Sequence, residues 1–225
     1  RELAAAHGLR RVALVAKHPC GIGADRSIEC AARLLAPGAL GSCEVLGAVL
    51  ATCCINKLSL DDAKESRVRE FCAAYAADLR PAFGGDLAQE SLERAVETMS
   101  RCSAWRTAHG SLGNAISGEQ LEWAELFEDA LQSLRLRRLE SLFGHVCEVR
   151  FAPSGCTLQD RCLIASARAL PKGTWVRQED DAFLEQVARA AAALLRDTGP
   201  IDCRPKGLKS EKYSFDYTDL APPPE

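Results

Sequence analysis

Aromatic residues are scarce in this chain of 225 residues, at 6%, and it has a single methionine. Sheets favour aromatic and β-branched side chains, so the shortage points away from an all-β fold. No apolar stretch is long enough to cross a membrane. The longest, Val45 to Ile55, ends just before Lys57, whereas a spanning helix needs about 20 residues. No secretory leader is expected from the first residues. An excess of one charge is also missing. Lys and Arg number 28 against 31 Asp and Glu, for a net charge of -3. That balance gives the whole molecule no electrostatic pull toward nucleic acid or an acidic membrane.

Metal and redox motifs are lacking too. The eleven cysteines include no Cys-x-x-Cys, and none of His7, His18, His109 and His145 stands three or four residues from another. His145, Cys147, Cys156 and Cys162 lie close in sequence, but their separations match no common zinc module. An odd cysteine count argues against a full disulfide framework. Cys53, Cys72 and Cys102 fall inside apolar periodic runs, where cysteine serves as a small hydrophobe. Reduced, buried thiols are therefore expected, and with them a reducing compartment.

Alanine and leucine dominate what remains, which suits close-packed helices. Ser59 and Asp62 form a capping-box pattern ahead of Val68, Phe71, Cys72, Tyr75 and Leu79, with Gly84-Gly85 as the stop. Val45, Leu46, Val49, Leu50 and Cys53 also fit a helical stripe within residues 42–58. Asp25 to Leu35 reads as a short helix closed by Pro37-Gly38. Further helices are expected over 87–103, over 118–143 behind Ser117 and Gln120, over 158–170 behind Thr157 and Asp160, and over 178–196. The last carries Phe183, Leu184, Val187, Ala188, Ala191 and Leu195. Two stretches resist a helical reading. Val12 to Ala16 fits a short strand or part of a helix, and Cys147, Val149 and Phe151 alternate as a strand does.

The expected fold is thus all-α: an irregular helical bundle, or a short α-solenoid of helical hairpins, with at most one minor pair of short strands. Residues 1–196 form the helical domain. Residues 197–225 form an extended C-terminal tail without apolar periodicity, ending Ala-Pro-Pro-Pro-Glu. Tyr213, Phe215 and Tyr217 alternate there, so an extended chain points all three rings one way. With Lys209 and Lys212 nearby, the tail reads as a strap that docks on a partner protein.

Candidate chemistry is thin. In His18-Pro19-Cys20-Gly21-Ile22-Gly23, a thiol precedes a helix whose dipole, with His18, would favour thiolate. The same stretch imitates a nucleotide-binding turn, but the third glycine position holds Arg26 and Asp25 occupies the anion mouth. Arg101, Arg106, Arg135 and Arg138 would make a phosphate-binding stripe if they shared one face. Asp61-Asp62 and Asp180-Asp181 stand at helix starts, where the dipole alone explains them. The function expected first is that of a non-enzymatic structural subunit of a larger multiprotein complex. An RNA-binding helical-hairpin repeat and a thiol enzyme using Cys20 are the alternatives. An organelle is the expected setting, mitochondrial matrix or plastid, with the cytoplasm as alternative. No cofactor is identifiable from the sequence.

Overall fold

The computed structural model describes residues 8, 10–52, 57–58, 65–85, 87–112, 116–150 and 161–170. These residues contain five helices and a four-stranded mixed sheet. The fold is therefore α/β, which overturns the all-α expectation.

The chain begins with β1 (Arg11–Lys17), α1 (Ile22–Leu35) and β2 (Glu44–Ala51). β1 and β2 pair in parallel, with a register slip between Val12 and Ala13. Parallel neighbours need a crossover, and α1 supplies it. Four helices follow: α2 (Glu65–Ala74), α3 (Ala76–Ala82), α4 (Gln89–Leu112) and α5 (Gly118–Phe143). The chain then returns as β3 (His145–Arg150) and β4 (Arg161–Ser166), an antiparallel pair. β4 inserts beside β2, so the sheet runs β1-β2-β4-β3.

Two segments read as helices are strands, for a physical reason. Residues 42–58 and 158–170 are short apolar runs whose spacing fits a helical stripe as well as it fits a strand buried on both sides. Tertiary pairing decides between them. Gly47 shows how tightly: a Cβ there would run into the carbonyl of Ala165 on β4. The strand readings of Val12–Ala16 and of the stretch after His145 agree with β1 and β3. Of the expected helices, α4 and α5 pack along one another. Within 65–82 the expected single helix is divided at Tyr75 into α2 and α3. The caps at Ser59 and Thr157, the helix at 178–196 and the tail lie outside the described residues.

The capping box at α5 forms in full. Ser117 Oγ accepts from the Gln120 amide at 3.2 Å, and Gln120 Oε1 accepts from the Ser117 amide at 2.9 Å. Gly144 ends the helix in the left-handed conformation, φ 85°. α5 is the spine between two apolar clusters. Ala124, Phe127, Ala130, Leu131 and Leu134 pack with α2, α3 and α4. Leu136, Leu139 and Phe143 pack with α1 and one face of the sheet. Every residue from Ala130 to Leu136 is buried, as in a helix surrounded on all sides.

The Gly47 contact yields a signed prediction. Gly47→Ala should lower unfolding stability by about 1–3 kcal/mol, because the methyl group overpacks the β2–β4 seam. In a helix the same change would raise stability by about 1 kcal/mol. Urea denaturation reads the sign directly.

Candidate functional site

A helix buried all round that contains Gln132, Ser133 and Arg135 must satisfy those polar groups internally. Arg135 is 1% exposed along its side chain. It reaches Asp25 in the first turn of α1, 110 positions away in the chain. The contact is bidentate, with Nε donating to Oδ1 at 2.9 Å and Nη2 to Oδ2 at 2.7 Å. Nη2 also donates to the Gly21 carbonyl at 2.9 Å, and Nη1 to Gln132 Oε1 at 3.3 Å. Tyr75, at the break between α2 and α3, donates its hydroxyl to Asp25 Oδ1 at 2.8 Å. The guanidinium carbon lies 5.9 Å from the Phe71 ring centre. Burial, and then the Asp25 carboxylate, push the Tyr75 hydroxyl well above its ordinary range, so it stays a donor.

The polar line continues along α5. Gln132 donates to Thr52 Oγ1 at 2.6 Å, and the Thr52 hydroxyl donates to the Arg161 carbonyl at 3.5 Å. Arg161, at the start of β4, meets Glu148 of β3 at 2.9 Å, Glu128 at 3.2 Å and Asp129 at 2.5 Å. Burial opposes its charge, yet the three carboxylates outweigh that and raise its pKa. Glu128 also holds Arg106 of α4 at 2.6 Å. These groups hold α1, the α2–α3 break, α4, α5, β3 and β4 together. Each arginine of the network is met by carboxylates from other elements.

Its nearest chemical neighbour is the turn from β1 to α1. His18 adopts φ 55° and Gly21 φ 53°, both left-handed. A Cβ at Gly21 would meet the Lys57 backbone at 2.9 Å. The His18 amide donates to Ala51 O at 3.1 Å and the Cys20 amide to His18 O at 2.8 Å. Arg135 holds the turn from below through the Gly21 carbonyl. The turn occupies the carboxyl ends of two parallel strands, the usual ligand position in α/β sheets. Here the helix mouth is filled by Asp25 and its arginine. The βαβ unit that a nucleotide fingerprint implies is therefore present in topology, with the anion position taken.

No family model, curated protein or solved structure matches the chain.

The structure sorts the predicted residues. Cys20 is half-buried in the turn. Arg106 and Arg135 are buried in ion pairs, and Arg101 pairs with Glu97 on its own helix at 2.6 Å. Arg106 and Arg135 are thus buried and do not share an exposed face with Arg101 and Arg138. Tyr213, Phe215, Tyr217, Lys209 and Lys212 lie outside the described residues. Cys147 and Cys162 come together on the sheet, each thiol pushed up by burial. Cys72 is pushed up to about 12, first by burial and then by the charge of Glu93. Among the described residues, no group of three or more His, Cys, Asp or Glu is arranged to hold a metal, and no helix is long and apolar enough to cross a membrane. The Asp25–Arg135 pair escaped the sequence reading, although Arg135 stands four residues after Leu131 on the apolar stripe and so had to point inward.

Removing either partner should leave a buried charge alone. Arg135→Met and Asp25→Leu should each cost about 3–5 kcal/mol. The double variant should be more stable than the sum of the two by about 2 kcal/mol. Strictly additive losses in urea denaturation would contradict the pairing.

Proposed function

We propose that the chain is a non-enzymatic interaction protein, a structural subunit of a larger assembly that receives a partner strand along β1. One observation carries this reading. Among the described residues β1 has a neighbour on one side only, and it bears the one large hydrophobic side chain that is strongly exposed, Val15 at 73%. An open, apolar edge strand offers unpaired amides and carbonyls to a second strand, and soluble proteins ordinarily blunt such edges. Arg11 and Lys17 at its ends are the only charges on β1. The tail strap with Tyr213, Phe215 and Tyr217 is proposed as a second contact. Seven free thiols among the described residues support a reducing setting, such as the mitochondrial matrix, a plastid or the cytoplasm.

The test compares tagged chains recovered from their own cells. A partner recovered in fixed ratio should be lost about 10-fold or more with Val15→Lys, a change of at least about 1.4 kcal/mol, while melting is unchanged. It should also be weakened by deleting residues 204–225. Hydrogen exchange on the complex should slow at Arg11–Lys17. Full recovery with Val15→Lys and unprotected β1 amides would remove the proposal.

A second reading has its own observation, the constrained turn that holds Cys20 at the carboxyl ends of β1 and β2. There the chain would be a thiol-dependent enzyme with Cys20 as nucleophile. Iodoacetamide at neutral pH should then modify Cys20 about 10-fold faster than the exposed Cys30. Equal or slower labelling discards it.

A further inference from the structure

The free edge of β1 carries chemistry of its own. Backbone groups alternate sides along a strand as side chains alternate faces. The Arg10 carbonyl accepts from the Glu44 amide at 2.9 Å, and the His18 amide donates to Ala51 O at 3.1 Å. Even-numbered positions therefore turn their groups to β2. The register slip places its extra residue, Leu46, in β2, so β1 keeps this alternation. The amides and carbonyls of Arg11, Ala13, Val15 and Lys17 turn the other way, to the side where the described residues place no strand. The side chains of the same four are exposed. Val12, Leu14 and Ala16 between them are half-buried at the margin of the α1–α5 cluster.

Positive charge stands at both ends of this edge and nowhere between. Arg10 and Arg11 precede the apolar stretch and Lys17 closes it, with no carboxylate among residues 10–18. None of the three cations has an ion pair among the described residues. Glu44, which lies across from Arg11 on β2, reaches Arg168 instead, at 3.5 Å. The chain as a whole has a net charge of -3, so the local excess of cation belongs to this edge. These charges disfavour a second copy of the chain as the occupant. Two β1 strands laid antiparallel about Leu14 would set Arg11 of each against Lys17 of the other, like charge on like at both ends. A strand with carboxylates at its ends gains at both.

We infer that the strand received by β1 is an acid-ended segment of another protein. It matches the seven residues of β1, with carboxylates facing Arg11 and Lys17 and small apolar residues facing Ala13 and Val15. Its alternate positions carry aliphatic groups that extend the layer of Val12, Leu14 and Ala16. This inference rests on the reading of β1 as an open edge, and adds to it what the partner must carry. Main-chain bonding gives contact whatever the sequence, and the two cations choose among sequences.

The probe is the peptide Glu-Val-Ala-Val-Ala-Val-Glu, blocked at both termini, which reads the same in either direction and so fits a parallel or an antiparallel pairing. Its counterpart carries Lys at both ends. Hydrogen exchange at Arg11–Lys17 of the full chain reports occupancy as each peptide is titrated. The Glu-ended peptide should bind about 10-fold more tightly at low salt, since each end exchanges repulsion for attraction. That advantage should shrink as salt rises. In the double variant Arg11→Glu with Lys17→Glu, the preference should invert while melting is unchanged. Should that variant unfold, Lys17→Glu alone takes its place, with the preference reduced about 3-fold. Equal binding of both peptides by the native chain overturns the acid-ended partner and leaves β1 standing as an open edge. Binding of neither at about 1 mM peptide overturns the inference, and β1 amides already protected in the free chain overturn the edge reading with it. Protection that grows with protein concentration would make a second copy the occupant and overturn the inference as well.

Discussion

Arg135 sits where a charge is hardest to accommodate, midway along a helix that has packing on every side. Its guanidinium is tolerated because Asp25 meets it edge to edge, Tyr75 donates to the same carboxylate, and the Gly21 carbonyl takes a further N–H. Asp25 and Gly21 come from α1 and its N-cap, and Tyr75 from the α2–α3 break. The charge can therefore be satisfied only when α1, the α2–α3 break and α5 are all in place. Such an arrangement penalises misassembly more than it raises stability, because a buried pair gains little over well-packed apolar groups. Its effect is specificity: one relative placement of three helices satisfies the arginine.

The two apolar clusters follow from that placement. α5 gives its first half to the helical layer and its last turns to the sheet, and the polar line through Gln132, Thr52, Arg161 and Glu128 runs between them. The turn holding His18 and Cys20 owes its shape to the same guanidinium. A positive φ is uncommon for any residue but glycine, and here the hydrogen bonds of the His18 and Cys20 amides and the close approach of Gly21 to Lys57 hold the turn. Structural and chemical candidates thus share one support.

Much of the helical layer was legible because its signals are local. Ser117 and Gln120 name a helix start by themselves. The sheet was legible only in part, because β2 and β4 are short apolar runs that become strands through each other. Val45-Leu46-Gly47-Ala48-Val49 satisfies a helical stripe as well as a buried strand, and nothing nearby arbitrates. Arg135 was read with Arg138 as a surface stripe, since proximity in sequence hid its place on the buried side. Its true partner lies 110 residues back, beyond the reach of any local pattern. The tail residues picked out for docking lie outside the described residues.

The order β1-β2-β4-β3 also sets a timetable for synthesis. β1, α1 and β2 emerge first as a complete parallel pair, yet the neighbour that closes β2 is β4, whose Ser166 faces Gly47 from far along the chain. At ordinary translation rates of about 5–20 residues per second, the nascent sheet waits on the order of ten seconds for that strand. Throughout the wait β2 offers a bare apolar margin to any other chain nearby. Long-range pairings of this kind fold slowly, so a ribosome-bound intermediate with an unfilled place beside Gly47 is built into the topology, and a chaperone that occupies it would ease assembly of the whole sheet.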